Sequence, residues 1–225
     1  DAPVQLPEGL NASNVLAVTQ RLPVTERRRY ELAASLEYRF NVDEDPRTLS
    51  RNLALPPSVN PQARALAERW RNSDHRPSAI IGQAQALFAA EFTYTLQPPL
   101  LGQNGIDEFL FKTRRGFCEH YAGAFVFLMR AAGIPARVVS GYQGGEFNPL
   151  DGYLVIRQSD AHAWAEVWLE GQGWVRVDPT ASVSPTRIET GIADALPSGE
   201  PLPALVQWRA DWLRTLRYRW EAVNN

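Results

Sequence analysis

The chain has 225 residues, 21% of them charged and 44% hydrophobic, with a formal net charge of −2. That length suits one enzyme domain with a sizeable core, and the near-neutral balance excludes nonspecific nucleic-acid binding, so no nucleic-acid partner is expected. One cysteine leaves no internal disulfide, no apolar run reaches the ~18–20 residues of a membrane span, and a chain that opens at Asp1 with no signal peptide reads as a fragment of a longer protein.

Residues 1–60 read as an N-terminal extension. After a loose, proline-containing start, Tyr30, Leu32, Ala34, Leu36, Tyr38, Phe40 and Val42 alternate with mostly polar neighbours. That period of two predicts a long strand over 30–42, although Glu, Leu and Ala leave a helix open. Asp43-Glu44-Asp45-Pro46 ends the segment. This acidic cluster lacks a full calcium-ligand spacing, and a solvated turn is the expectation.

Residues 61–180 read as the catalytic part. Pro61 opens a helix to about residue 72, and Ser78 is expected to cap a second helix running to about residue 90. A short strand over 92–96 stops at Pro98-Pro99, and a brief helix over 106–112 leads to Cys118. The apolar run Ala122, Ala124, Phe125, Phe127, Leu128, Met129 and Ala131 makes the next helix, which Gly133-Ile134-Pro135 ends. Residues 136–142 form an interior strand, 144–152 a glycine-rich loop, and 153–157 a further strand.

Next comes His162-Ala163-Trp164-Ala165-Glu166-Val167-Trp168, whose alternation is that of a strand with His162 at its start. Gly171-Gln172-Gly173 turns the chain, and Trp174-Val175-Arg176-Val177-Asp178 returns as a second strand that Pro179 stops. His162 and Asp178 therefore share the open end of one hairpin, with a modest offset. No glycine-rich phosphate loop follows a strand, and no cofactor is expected. Residues 181–225 read as a Pro/Ser-rich linker and a C-terminal amphipathic helix from about residue 202. There Leu205, Trp208, Trp212, Leu216 and Trp220 recur at helical spacing among several arginines. Such a stripe docks on the domain or lies near a bilayer.

Cys118 begins a helix and follows Arg114 and Arg115. The helix dipole, the unpaired first-turn N–H groups and the two cations all favour the reactive thiolate. Taken singly, Cys118 could be a small core residue, His162 a structural histidine and Asp178 a turn cap. Together they make a nucleophile, a base and an orienting acid. A metal site using Cys118, His120, His162 and Asp178 is disfavoured, because positions i and i+2 point to different faces of a helix.

Gly116-Phe117-Cys118, the run from Leu128 to Tyr142, His162 to Val167, and Gly173 to Thr180 resemble the transglutaminase-like superfamily in order and spacing. The family's Cys-His-Asp triad falls residue by residue on Cys118, His162 and Asp178. The flanks resemble the periplasmic domain of the TgpA-type, membrane-bound members from Gram-negative bacteria. The resemblance implies an α+β fold with a papain-like/transglutaminase-like core, its nucleophile helix packed on an antiparallel sheet. It also implies acyl transfer from a glutamine to a lysine or other amine through a cysteine thioester. The partners would be protein or peptide substrates offering glutamine donors and amine acceptors, in the periplasm, with the full-length protein anchored in the inner membrane. Tyr94 is a candidate second oxyanion donor or else a packed core tyrosine. A cysteine protease, amidase or deamidase on the same triad, and a noncatalytic peptide-binding domain, remain as alternatives.

Overall fold

A computed structural model describes residues 2–13, 16–20, 22–23, 25–26, 31, 33–35, 37–186 and 218–219. In chain order these give β1 (Ala2–Gln5), β2 (Leu10–Ala12), β3 (Val18–Gln20), β4 (Ala33–Ser35), α1 (Pro46–Arg51), α2 (Pro61–Ser73), α3 (Pro77–Glu91) and β5 (Thr93–Tyr94). Then come α4 (Gly105–Glu108), which runs into a π-helical turn at Phe109–Thr113, β6 (Arg115–Gly116) and α5 (Cys118–Ala131). The chain continues through β7 (Ala136–Tyr142), β8 (Glu146–Phe147), β9 (Leu154–Val155), β10 (Ala161–Leu169) and β11 (Gly173–Val177).

The main sheet is antiparallel, in the order β11-β10-β7, and α5 packs on one face of it. The expected α+β arrangement, a nucleophile helix on an antiparallel sheet, is what the molecule shows. Alternation along β10 sorts its residues between two environments. Ala165 and Val167 are buried in the core with α5, and Ala163 packs against Cys118 and Ala122. The opposite face carries Trp164, Glu166 and Trp168, built up by an Arg137–Glu166 ion pair and by the Arg137 guanidinium 4.1 Å from the Trp174 ring centroid.

α5 is buried almost all round, through Tyr121, Ala124, Phe125, Leu128 and Met129 among others. Its C-terminus closes as a Schellman motif: Ile134 N donates to Met129 O, Gly133 N donates to Arg130 O, and Gly133 adopts φ +87°. Around its first turn, Phe88, Phe92, Phe109 and Tyr121 pack edge to face or tilted, with centroids 5.1–5.6 Å apart for the Phe88–Phe92, Phe88–Tyr121, Phe92–Phe109 and Phe109–Tyr121 pairs.

Two helix starts cap one another. The Asp107 carboxylate accepts from Gln62 N and Ala63 N at the head of α2, while Asn60 Oδ1 accepts from Ile106 N and Asp107 N at the head of α4. Donors that a helix start leaves orphaned are satisfied from 45 residues away in sequence.

Several expectations need correction. The long strand over 30–42 is not formed among the described residues: only Ala33–Ser35 is strand, paired with β1. The residues after it leave the ladder to cover the sheet. Phe40 bridges Gly173, Trp168 Nε1 donates to Asn41 O, and Trp174 Nε1 donates to Glu44. Periodicity reported burial on one side here, and that burial is against Trp168 and Trp174 rather than within a long ladder. The acidic turn is used locally, with Asp45 capping α1 and Glu44 bonding Asn41 and Trp174. Ser78 is no cap, since α3 starts one residue earlier at Pro77 after an extended Arg76. The strand over 153–157 shrinks to Leu154–Val155 and pairs with β8, inside the segment read as loop. Of the segment read as C-terminal linker and amphipathic helix, residues 187–217 and 220–225 lie outside the described residues.

Candidate active site

Cys118 is the first residue of α5, after an extended Phe117 that offers no side-chain cap. The entry to this turn is fixed on both sides. Upstream, Arg114 takes a left-handed conformation at φ +51° and pairs with Glu91, which reverses the chain out of the π-helical turn. Then β6 pairs in parallel with β5, and Thr95 N donates to Gly116 O at 2.8 Å. Gly116 must be glycine, since a Cβ there would lie 2.7 Å from His120 Cβ.

His162 stands opposite Gly141 in the β10–β7 register. Ala165 pairs with Val177, so Asp178 emerges one residue beyond the end of β11, diagonal to His162 on the same face. The offset read from the sequence is thus the one the register makes. His162 Nε2 and Asp178 Oδ2 are 2.7 Å apart, and Asp178 Oδ1 also accepts from Thr180 N at 2.9 Å. That second bond fixes the carboxylate plane. His162 is 3% exposed and Cys118 8%.

Nδ1 of His162 is buried without a well-formed hydrogen bond. The Cys118 thiol is nonetheless near enough to act on the imidazole. Burial pushes the His162 pKa down, the hydrogen bond to Asp178 and the contact with Cys118 push it up, and the net result lies above the usual value. A contact looser than a well-formed hydrogen bond reconciles the two observations.

Three further residues surround His162. Trp164 stacks beside His162, with centroids 6.1 Å apart and planes at 30°. Arg176 covers the Trp164 ring at 4.5 Å. Gly141 admits the indole, because a Cβ there would come within 2.7 Å of Trp164 Cη2. The available signal was the register itself, which sets a glycine opposite a histidine and a tryptophan two residues beyond.

Tyr94 is buried and stacked on Tyr121, with centroids 6.4 Å apart, on the strand that pairs with the nucleophile loop. His120 is held in an aromatic setting, 4.5 Å from Phe117 and 5.7 Å from Phe109 between centroids. Among the described residues no cluster of His, Cys, Asp and Glu has the shape of a metal site.

Residues 64–179 match the family model described as the transglutaminase-like superfamily. The chain is 47% identical over 212 residues to the protein-glutamine gamma-glutamyltransferase of Pseudomonas aeruginosa, which covers 91% of this chain and 32% of that protein. It is 32% identical over 172 residues to the uncharacterized protein YebA of Bacillus subtilis, covering 72% of this chain and 23% of that one. The crystal structure of the periplasmic domain of TgpA from Pseudomonas aeruginosa superposes with a TM-score of 0.82 at 48% identity, over 84% of this chain and 66% of that chain. The chain therefore spans about a third or less of the length of these two full-length relatives.

Proposed function

The chain belongs to the transglutaminase-like superfamily, and on that premise we propose that it is a protein-glutamine γ-glutamyltransferase with Cys118 as nucleophile, His162 as base and Asp178 as orienting acid. The observation that supports this most is the His162 imidazole, bound through Nε2 to Asp178 and left with an unbonded Nδ1 near the thiol that starts α5.

Asp178 holds the proton on Nε2, so Nδ1 is the nitrogen that takes the proton of Cys118. The thiolate attacks the γ-carbonyl carbon of a glutamine side chain. The oxyanion that forms accepts from the Cys118 backbone N–H, which no side chain of the preceding residue caps. Imidazolium returns the proton to the leaving nitrogen, the C–N bond breaks, and ammonia departs to leave a thioester. An incoming amine gives a proton to His162 as its nitrogen bonds the acyl carbon. The C–S bond then breaks, and the sulfur recovers the proton. The product is an isopeptide when the amine is a lysine, and glutamate when water replaces the amine. Trp164, stacked on His162, supports the amine route by keeping water from the imidazole.

The test is incubation with a glutamine peptide and a labelled primary amine, read by mass spectrometry and by ammonia release. Amine incorporation that disappears in Cys118→Ala is the expected result. Release of ammonia with glutamate as the sole product at saturating amine would instead make the domain a deamidase.

The domain works in the periplasm, as the soluble part of a protein anchored in the inner membrane. Likeness to the periplasmic domain of TgpA supports the location, and the Trp/Arg-rich sequence from Leu202 to Trp220 suits a segment close to a bilayer. No helix among the described residues is long and apolar enough to cross a membrane. Alkaline phosphatase fused after Asn225 in the full-length protein should be active, and a well-expressed but inactive fusion would refute the assignment.

A further inference from the structure

The edge of the main sheet next to Cys118 has features that neither fold stability nor the triad requires. Among the described residues, no strand pairs with the outer side of β7. At its first residue Asn52 O accepts from Ala136 N and Arg130 Nε donates to Ala136 O, but from Val138 to Tyr142 extended chain ends the sheet without a proline or a lysine to blunt it, and an unprotected edge of this kind invites another strand to add.

The register shows what this edge presents. Val138, Ser140 and Tyr142 stand opposite Ala165, Ala163 and Ala161, so they lie on the α5 face of the sheet. α5 covers β10 and the start of β7 there and leaves the rest of β7 uncovered: Ala165 and Ala136 are 0% exposed, whereas Val138 is 49% and Tyr142 48% exposed. Ser140 is the direct neighbour of Ala163, and Ala163 packs against Cys118. The exposed strip thus runs past the thiol with one apolar side chain on each side of it. The Tyr142 hydroxyl donates to Gln158 Oε1, which holds the ring in place.

The strip carries on into the β8–β9 hairpin, which leaves β7 after Gln143 N donates to Asp160 O. That hairpin has two unlike faces. Glu146 is bound by Arg157 and by the Tyr218 hydroxyl, which occupy one face. Phe147 pairs across the hairpin with Leu154 on the other face, and both are exposed.

We propose that the outer edge of β7, with Val138 and Tyr142 and continued by Phe147 and Leu154, is the docking surface for the glutamine donor. The donor is a polypeptide segment that adds to β7 as an extended strand, with apolar residues at alternate positions flanking the reactive glutamine. This rests on the acyl-transfer reading above. The choice of occupant follows from continuity with the thiol: a donor must reach Cys118, and Ser140 is the residue of the free edge that stands beside Ala163, the alanine Cys118 packs against. Main-chain hydrogen bonds to the edge would give affinity, and alternate side chains on Val138 and Tyr142 would give selectivity.

Two peptides test it, both carrying one glutamine. One is flanked by glycines, and the other has leucine or valine at alternate positions. Binding of the fluorescently labelled peptides is measured by anisotropy on the Cys118→Ala protein, where no turnover is needed, and steady-state kinetics are measured on the wild type. The alternating peptide should bind more tightly. Val138→Ser/Tyr142→Ser should weaken that binding and raise its KM by about tenfold or more, and should shrink the preference over the glycine peptide. Leu100→Ser, an exposed position outside the surface, should change nothing. If the double variant melts at a lower temperature, Val138→Thr, which keeps the β-branch, is read in its place and should show a smaller shift of the same sign.

Equal binding of the two peptides, or a preference that survives in the variants, overturns the proposal. So does a dimer seen by light scattering that the double variant dissolves, since the edge would then belong to a second copy. Peptide binding to Cys118→Ala without any turnover by the wild type would leave the surface standing and remove the acyl-transfer reading instead.

Discussion

Replacing Asp178 by asparagine separates the shape of the site from its charge. Asn Oδ1 can still accept from Thr180 N, as Asp178 Oδ1 does at 2.9 Å, so the short turn after β11 keeps its cap. The other oxygen, 2.7 Å from His162 Nε2, becomes an NH2 group. Two donors then face each other unless the imidazole moves its proton to Nδ1, and Nδ1 is the nitrogen that must be free to receive the thiol proton. A charge-assisted hydrogen bond contributes about 1.5–3 kcal/mol, so its loss predicts a roughly 10- to 150-fold fall in kcat/KM. Burial, the largest influence on His162 and a lowering one, is then opposed only by Cys118, and the imidazole pKa falls. The assay is the pH dependence of kcat/KM together with the rate of Cys118 alkylation by iodoacetamide. The acid limb, below which His162 is protonated and cannot act as base, should move to lower pH. Stability should follow with a defined sign. The folded pKa of His162 is raised, so its protonation stabilises the fold. That contribution is fully present below the unfolded value of about 6.5 and is lost as pH rises through the folded value. The melting-temperature gap between wild type and variant is therefore widest near about pH 5–6 and closes above neutrality. Unchanged alkylation and rate profiles would refute the orienting role.

Cys118→Ala should abolish both iodoacetamide labelling and acyl transfer while leaving the far-ultraviolet dichroism unchanged, and turnover near the wild-type rate would remove the nucleophile assignment. His162→Ala should lower kcat/KM by at least about 10³-fold, more than Asp178→Asn does, in the same assay. Gly141→Ala places a Cβ 2.7 Å from Trp164 Cη2, so the indole must shift off His162. A stability loss of about 1–3 kcal/mol and a kcat/KM about tenfold lower are expected, and wild-type values for both would show that the ring moves freely. Gly173→Ala meets φ +80° and a collision with the Phe40 carbonyl oxygen. Strain and overpacking together should cost roughly 3 kcal/mol, read as a melting temperature lower by about 6–12 °C.

The geometry of the candidate site was legible because its residues sit on strongly patterned elements. Alternation from His162 to Trp168 and the glycines at 171 and 173 determine a hairpin, and a hairpin leaves little freedom in which residues share an end. The Cys118 helix was legible from its apolar run and from Gly133, which indeed takes φ +87°. The elements that aim these residues were not. β5 and β6 have two residues each, too few to carry a period, and their parallel pairing brings together segments 22 residues apart. The π-helical turn at Phe109–Thr113 has no composition of its own. Residues 37–45 carried a real apolar signal whose partners, Trp168 and Trp174, lie about 130 residues away. A local period cannot tell a strand in a ladder from a segment laid across one.

The exchange of caps between Asn60 and Asp107 has a consequence for how this chain can be altered. Each side chain closes a helix that belongs to the other's segment, so losing either one opens the helix start in the other's segment, and the pair is best inherited or redesigned as a unit. The exposed loop between β5 and α4, where Leu100 is 99% exposed, could be lengthened or could accept a grafted epitope, since the pairing of β5 with β6 holds the chain before it and the cap exchange holds the chain after it.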